Sequence, residues 1–230
     1  MRLLSVNVGR PTPLPSAGGP GGLSGIDKRP FEGSVRVSDP GPKGTGGSGL
    51  AGDAVCDLRN HGGSDQAVYA FAREELDAWE RQLGGRELAN GSFGENLTTL
   101  GVDVSGALIG ERWRVGDELL LEVTSGRMPC RTFADHIKEE KWVRRFTQEA
   151  VTGAYLRVIE PGTIRAGDPV EIVHRPDHEI TAALQFRAVT TERTLLPSLL
   201  AAASALHPEA LRKAREYVAA GGGSGAGAGH

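Results

Sequence analysis

Cysteine is nearly absent from this 230-residue chain, with Cys56 and Cys130 the only two. A secreted disulfide scaffold uses more cysteines at closer spacing, so a reducing, cytoplasmic compartment and two free thiols are expected. An iron–sulfur cluster normally takes four thiolates, so any redox chemistry here needs electrons from elsewhere. A surplus of charge of one sign is also missing. Lys and Arg total 26 against 29 Asp and Glu, for a net charge of -3. The charges are mixed along the chain, which leaves no footprint for a nucleic-acid duplex or an anionic membrane. Leu3 to Val8 is too short and too polar for a signal-peptide core. No apolar run approaches the roughly 20 residues that cross a bilayer. There is no G-x-S-x-G elbow, no Walker lysine and no H-E-x-x-H pair. The stretch Gly44 to Gly49 fits G-x-G-x-x-G in spacing alone. That fingerprint needs a strand before it and a helix after it, and here a strand-like segment follows. His174 and His178 stand four apart, but Arg175-Pro176 between them argues against a helical ligand pair.

What the chain has in abundance is glycine, 33 residues concentrated in loops and at the end. This predicts many tight turns. Arg2–Val8 alternates apolar and polar residues, as a first strand does. Val35 and Val37 mark a short strand, and Ala54–Leu58 reads as another. Ala72, Leu76, Trp79 and Leu83 form one helical stripe, closed by Gly84 and Gly85. Ile109–Val123 and Gly162–Val173 echo each other, each with a Gly-Asp turn leading into an apolar strand, a pattern that favours a small barrel or a curled sheet. Between them, Ile137, Trp142, Val143, Phe146 and Ala150 suggest a second helix, followed by a strand over Ala154–Ile159. After Arg175-Pro176 the texture turns Ala/Leu-rich. Three short helices are expected, near 181–188, near 194–204 and from Pro208 to about Ala219, with Pro208 at the first helical position. The expected organisation is a mainly β domain over 1–175, a three-helix module over 176–220 and a flexible Gly-rich tail over 221–230.

Three polar clusters are candidates for chemistry: Asn60 to Tyr69, Gly91 to Thr98, and Arg127 to Thr132. Each also has a bland reading, as a turn, a capped loop or a buried cysteine. Position raises the weight of Cys130. It follows a proline at the end of an apolar strand and is flanked by Arg127 and Arg131. Nearby cations favour the thiolate, the form that binds a soft or high-valent metal. Cys56, placed in a strand beside Asp57, reads as structural.

These clusters, taken in order, carry a family resemblance. Ser24-Gly-Ile-Asp-Lys28, Gly49-Leu-Ala-Gly-Asp53, His61-Gly-Gly-Ser-Asp65-Gln-Ala-Val-Tyr69, Phe93-Gly-Glu-Asn-Leu97, Ile109-Gly-Glu-Arg and Arg127-Met-Pro-Cys130 resemble the MOSC family, the domain at the C-terminal end of molybdenum cofactor sulfurases. Gly153–Val158 and the helical end resemble its stand-alone bacterial branch, associated with resistance to N-hydroxylated purine analogues. Ser125-Gly126 departs from the Gln-Pro often found before the cysteine turn, and the loop Pro40–Gly49 is longer and richer in glycine.

The resemblance implies a mainly β fold built on a barrel, and a molybdenum cofactor (molybdopterin) ligated by Cys130. The implied activity is an oxidoreductase that converts R-NHOH to R-NH2 with electrons from a separate reductase. His61 or Glu95 would deliver protons, and Asn96 and Asp65 would position cofactor or substrate. Lys28, Arg36, Arg127 and Arg131 are candidates for the cofactor's phosphate. The rival expectations are a carrier that holds sulfur or cofactor on Cys130, and a barrel used only for protein contacts. The chain has no room for the desulfurase domain of the sulfurases, so pyridoxal phosphate is not expected. No nucleic acid or membrane partner is expected.

Overall fold

The computed structural model describes residues 1–221, so the Gly-rich stretch expected as a tail lies, from residue 222 on, outside the described residues. Alternation of buried and more open side chains makes Arg2–Gly9 the first strand, β1. Four short strands follow: β2 (Thr12–Pro13), β3 (Leu23–Ser24), β4 (Lys28–Pro30) and β5 (Val35–Val37). Next come β6 (Val68–Ala72), α1 (Arg73–Gln82), β7 (Leu97–Leu100), β8 (Arg112–Val115) and β9 (Leu119–Ser125). After β9 lie α2 (Arg131–Ile137), α3 (Trp142–Glu149), β10 (Ala154–Glu160), β11 (Gly162–Ile164) and β12 (Val170–His174). The C-terminal part holds α4 (Ala182–Thr190), a 3-10 segment Arg193–Ala202, and α5 (Pro208–Ala219).

Eight strands form one sheet in the order β12-β8-β9-β10-β6-β7-β1-β4. Its pairs are antiparallel except β6–β7, which run parallel with α1 in the crossover between them. The strand order is open. The two ends of the sheet do approach: Leu3 N–H donates to Asp168 O at 2.8 Å, Gly167 N–H to Leu3 O at 2.8 Å and Val170 N–H to Met1 O at 3.1 Å. These bonds and a single bridge, Arg2 to Pro169, make no continuous ladder. The structure is therefore a mainly β fold with a large open sheet, and not the closed barrel that the resemblance implied.

Two cores hold the fold. The larger joins both faces of the sheet to the C-terminal helices, running from Leu3, Val68 and Leu121 to Leu196, Leu206 and Ala214. The smaller is aromatic and fixes α1, α2 and α3 against β6. Phe93 lies edge-on to Phe71, Trp79, Phe133, Trp142 and Phe146 at its centre. Edge-to-face pairs of this kind contribute about 0.5–1.5 kcal/mol each beyond area burial. This cluster matters to function because Phe133 and Phe93 anchor the two loops that carry Cys130 and Asn96.

Several expectations are corrected here. Ala54–Leu58 is not a strand: Asp57 accepts from Asn60 Nδ2 at 2.8 Å and its carbonyl from His61 N–H at 2.9 Å, which winds the segment into a turn. The single helix expected around 137–150 is two, because Lys138 and Lys141 both adopt positive φ. The segment 193–202 is 3-10 rather than α-helical, with Pro197 inside it supplying no N–H. Among the described residues no helix is long and apolar enough to cross a membrane.

Candidate functional site

Loops converge where β1, β6, β7 and β9 end, and they enclose a cleft of about 690 Å³ that is open to solvent. Cys130, His61, Lys28, Asn96 and Arg127 all line it. The other expected residues stand elsewhere. Glu95 is fully buried behind the cleft, accepting from Gly91 N–H at 2.5 Å, Phe93 N–H at 3.0 Å and Thr98 Oγ1 at 2.9 Å. Burial raises its pKa. Its carboxyl shapes the 91–98 loop. Asp65 pairs with Arg157 at 2.6 Å, and exposed Arg36 with Glu118 at 3.5 Å. Arg131 is exposed at the start of α2, outside the cleft lining.

Cys130 caps α2: its Sγ accepts from Phe133 N–H at 3.4 Å. Burial pushes the thiol's pKa up, but three effects outweigh it: the interaction with the His61 side chain, the charge of Arg127 and the Phe133 amide. The pKa falls from 9.0 to about 7. His61 is held by backbone packing. Gly62 (φ +79) would place a Cβ 2.7 Å from Gly47 O, and Gly63 (φ +85) would place one 2.6 Å from Lys43 N. Only glycine lets these two loops meet. This explains the glycine-rich stretch 41–49 as a brace for the histidine rather than a phosphate loop.

The opposite wall is a polar chain. Asp53 accepts from Lys28 Nζ, from Gly9 N–H at 2.7 Å and from Asn96 Nδ2 at 2.8 Å. Asn96 Oδ1 in turn accepts from Tyr69 N–H at 3.1 Å. Burial lowers the pKa of Lys28, opposed by the attraction of Asp53. Arg127 has no such carboxylate. Its guanidinium lies 4.2 Å from the Phe133 ring centroid and 5.0 Å from that of Tyr69, and Nη1 donates to Phe93 O at 2.7 Å. Its Nε is buried without a partner. The cleft wall thus carries one cation in a direct ion pair, Lys28, and one, Arg127, whose charge is met by Glu95 and Cys130 without a direct ion pair among the described residues.

The sequence reading passed over Asp53, Cys56, Gln66 and Tyr155, all of which line the cleft. Burial raises the Cys56 pKa, opposed by Lys28, so the two cysteines are driven in opposite directions. Assigning Ala54–Leu58 to a strand hid Cys56. Asp53 and Gln66 lay inside quoted motifs, and their signal was a polar side chain held between glycines or beside a helix start.

The two thiols predict a chemical readout. With iodoacetamide, Cys130 should alkylate with a midpoint near pH 7, where a thiol of pKa 9.0 would be only about 1 % ionised. His61→Asn should move that midpoint upward. Peptide mass spectrometry across pH 5.5–9.5 tests this, and equal midpoints for Cys56 and Cys130 would contradict it.

The comparisons with known proteins give the family and the fold. The MOSC domain matches residues 57–171. The Bacillus subtilis protein YflK is 34 % identical over 179 residues, covering 78 % of this chain and 76 % of that protein. A Gibberella moniliformis protein named Reductase is 28 % identical over 163 residues, covering 70 % of this chain but only 29 % of that protein. The crystal structure of YiiM from Geobacillus stearothermophilus superposes with a TM-score of 0.72 at 26 % identity, covering 94 % of this chain and 97 % of that one. This chain belongs to the MOSC-domain family and is similar to YflK and YiiM.

Proposed function

We propose that this chain binds the molybdenum cofactor through Cys130 and reduces N-hydroxylated compounds to amines. The observation that carries this reading is a thiol of pKa about 7, beside His61 and Arg127, in an open cleft. The donor set fits the group. Among the described residues no three His, Cys, Asp or Glu side chains gather around a common point. A metal that arrives with its own sulfur ligands needs only one thiolate from the protein. Arg127, with its unpartnered Nε, suits an anionic part of such a cofactor, whereas the charge of Lys28 is already balanced by Asp53.

When bound, the group supplies a metal that accepts an oxygen atom and passes two electrons. The overall change is R-NHOH + 2 e⁻ + 2 H⁺ → R-NH2 + H2O, with the electrons from a separate reductase protein. The chain's own part is to hold and to protonate. His61 stands beside the thiolate and is the group placed to give a proton to the departing oxygen. Tyr155 lines the same cleft, and its hydroxyl has no hydrogen bond among the described residues, so it can orient the N–OH group. The Lys28–Asp53–Asn96–Tyr69 chain keeps the facing wall in place. The relative named Reductase supports the class of chemistry.

The test is expression with molybdate, metal analysis, and assay of an N-hydroxylated amidine with reduced viologen as electron donor. Stoichiometric molybdenum with formation of the amine is the expected result. Metal retained without amine would replace this reading with the carrier. Absence of both would leave a scaffold.

A further inference from the structure

The loop that carries His61 has little to hold it in place by itself. Gly62 and Gly63 follow the histidine with positive φ, and neither has a side chain to pack. Beyond them lies a 3-10 turn, Ser64–Gln66. The backbone here is tied by Gly63 N–H to Gly47 O at 3.1 Å and by Gln66 N–H to Gly63 O at 2.9 Å. Glycine backbone ranges widely unless its flanks are fixed. The side chain that fixes this flank is Asp65.

Asp65 is held twice. Its Oδ1 accepts from Arg157 Nη2 at 2.6 Å, and its carbonyl accepts from Thr124 Oγ1 at 2.7 Å. One stretch of the C-terminal part holds both of these partners. Arg157 Nη2 also donates to Ala205 O at 3.0 Å, and Thr124 O accepts from His207 N–H at 3.1 Å. Arg157 comes from β10 and Thr124 from β9, so two neighbouring strands and the C-terminal segment meet at this one residue. Arg157 Nη1 further donates to Glu122 Oε1 at 3.2 Å. The planar guanidinium holds these three acceptors in one fixed arrangement, which a flexible ammonium does not. The Arg157 and Asp65 side chains remain 22 % and 28 % exposed. An ion pair this open adds little stability. Its position, between the sheet, the C-terminal segment and the histidine loop, points to a role in geometry instead.

We propose that Arg157 is a positioning residue: through Asp65 it sets where the His61 ring stands against Cys130. The histidine meets the thiol by a side-chain contact, whereas neither Arg157 nor any residue of the C-terminal helices lines the cleft. The helices thereby act on the site without touching it. This inference rests on the proposed reduction for its chemical meaning, since His61 is the proton donor there, but the placement is tested without turnover.

The readout is the rate at which iodoacetamide alkylates Cys130 at pH 7 in the full chain expressed without molybdate, with Cys56 in the same cleft as the internal reference. Arg157→Met should slow Cys130 by about threefold or more, as expected of a thiol that loses a neighbouring histidine, and leave Cys56 within about twofold. Arg112→Met is the control. It removes the other ion pair of Glu122, at 2.8 Å, and leaves the Asp65 contacts in place, so both rates should stay as in the wild type. A double-mutant cycle asks whether the effect passes through the histidine. In a His61→Asn background, Arg157→Met should slow Cys130 no further. Should Arg157→Met not fold, as judged by circular dichroism, Asp65→Ala removes the other end of the pair and takes its place. An unchanged Cys130 rate overturns the proposal. So does faster alkylation of both cysteines, the mark of a loosened fold, and so does an equal slowing in the His61→Asn background. If Cys130 slows as expected but metal-loaded wild type forms no amine, the proposed reaction fails while the role of Arg157 stands. If the wild type forms amine and the Cys130 rate does not respond to Arg157→Met, the reaction stands and the role of Arg157 fails.

Discussion

On the proposed function, Cys130→Ser is expected to leave a folded protein that no longer retains molybdenum. The two effects separate because the cysteine has two roles. Its structural role is to cap α2 by accepting from Phe133 N–H, and a serine hydroxyl caps a helix at least as well. The melting temperature should therefore stay within a few degrees of wild type. Its chemical role needs an anion of a soft atom at neutral pH. The wild-type thiol has a pKa of about 7, whereas a serine hydroxyl stays protonated and offers hard oxygen. Loss of groups that only support a ligand already weakens metal binding by about 10–100-fold, so loss of the ligand itself should exceed this. Metal per chain by mass spectrometry, and amine production in the viologen assay, should fall together. A serine variant that keeps both would remove the thiolate from the mechanism. The wild-type thiol also makes the metal-free chain pH-sensitive. Its folded pKa lies below the unfolded value of 9.0, so the folded state gains stability as pH rises from about 7 towards 9 and loses it as pH falls through about 7.

What could be read in advance depended on whether a residue's role was local. The periodicity of Arg2–Gly9 and the stripe through Leu76 and Trp79 are set by one face meeting a core, and both elements formed where the pattern placed them. Pro208 opens α5 for an equally local reason, its missing N–H. The strand β6 gave no such signal. All five of its residues are buried, because β10 and β7 flank it and both faces are covered, so no alternation survives. The echo between Ile109–Val123 and Gly162–Val173 was real as strands but misleading as topology. β8 and β9 pair with each other, whereas β11 leaves the main sheet to pair with β5. The site divides in the same way. Cys130 was legible because its neighbours in sequence are its neighbours in space, with Arg127 beside it. Asp53 and Tyr155 were not, because the cleft gathers them from distant turns and strands. Arg131 shows the converse: adjacency to the cysteine placed it on paper beside the thiol, and the helix it opens leaves it outside the lining.

Asp53→Ala should be the most destabilising change in the cleft wall. The carboxylate, with its side chain 1 % exposed, is the ion-pair partner of buried Lys28 and the acceptor for Gly9 N–H and Asn96 Nδ2. Removing one partner of a buried ion pair costs about 3–5 kcal/mol, because the other charge is left unpaired. For a chain of this size each kcal/mol lowers the melting temperature by about 2–4 °C, so a drop of about 6–20 °C is expected. The loss should depend on pH in a definite direction. Burial already lowers the Lys28 pKa below 10.5, and without Asp53 it falls further. A base whose folded pKa lies below its unfolded value favours folding more as pH rises through that window, so the deficit should shrink between pH 7 and pH 10. Thermal melts at these two pH values check the sign. The double variant Lys28→Met/Asp53→Leu should recover most of the loss, since a buried pair replaced by apolar groups of similar volume is often neutral or better. It also separates support from chemistry. If the pair only holds the wall, the double variant keeps its metal. If Lys28 lends its charge to the bound cofactor, the double variant melts like wild type and retains less molybdenum.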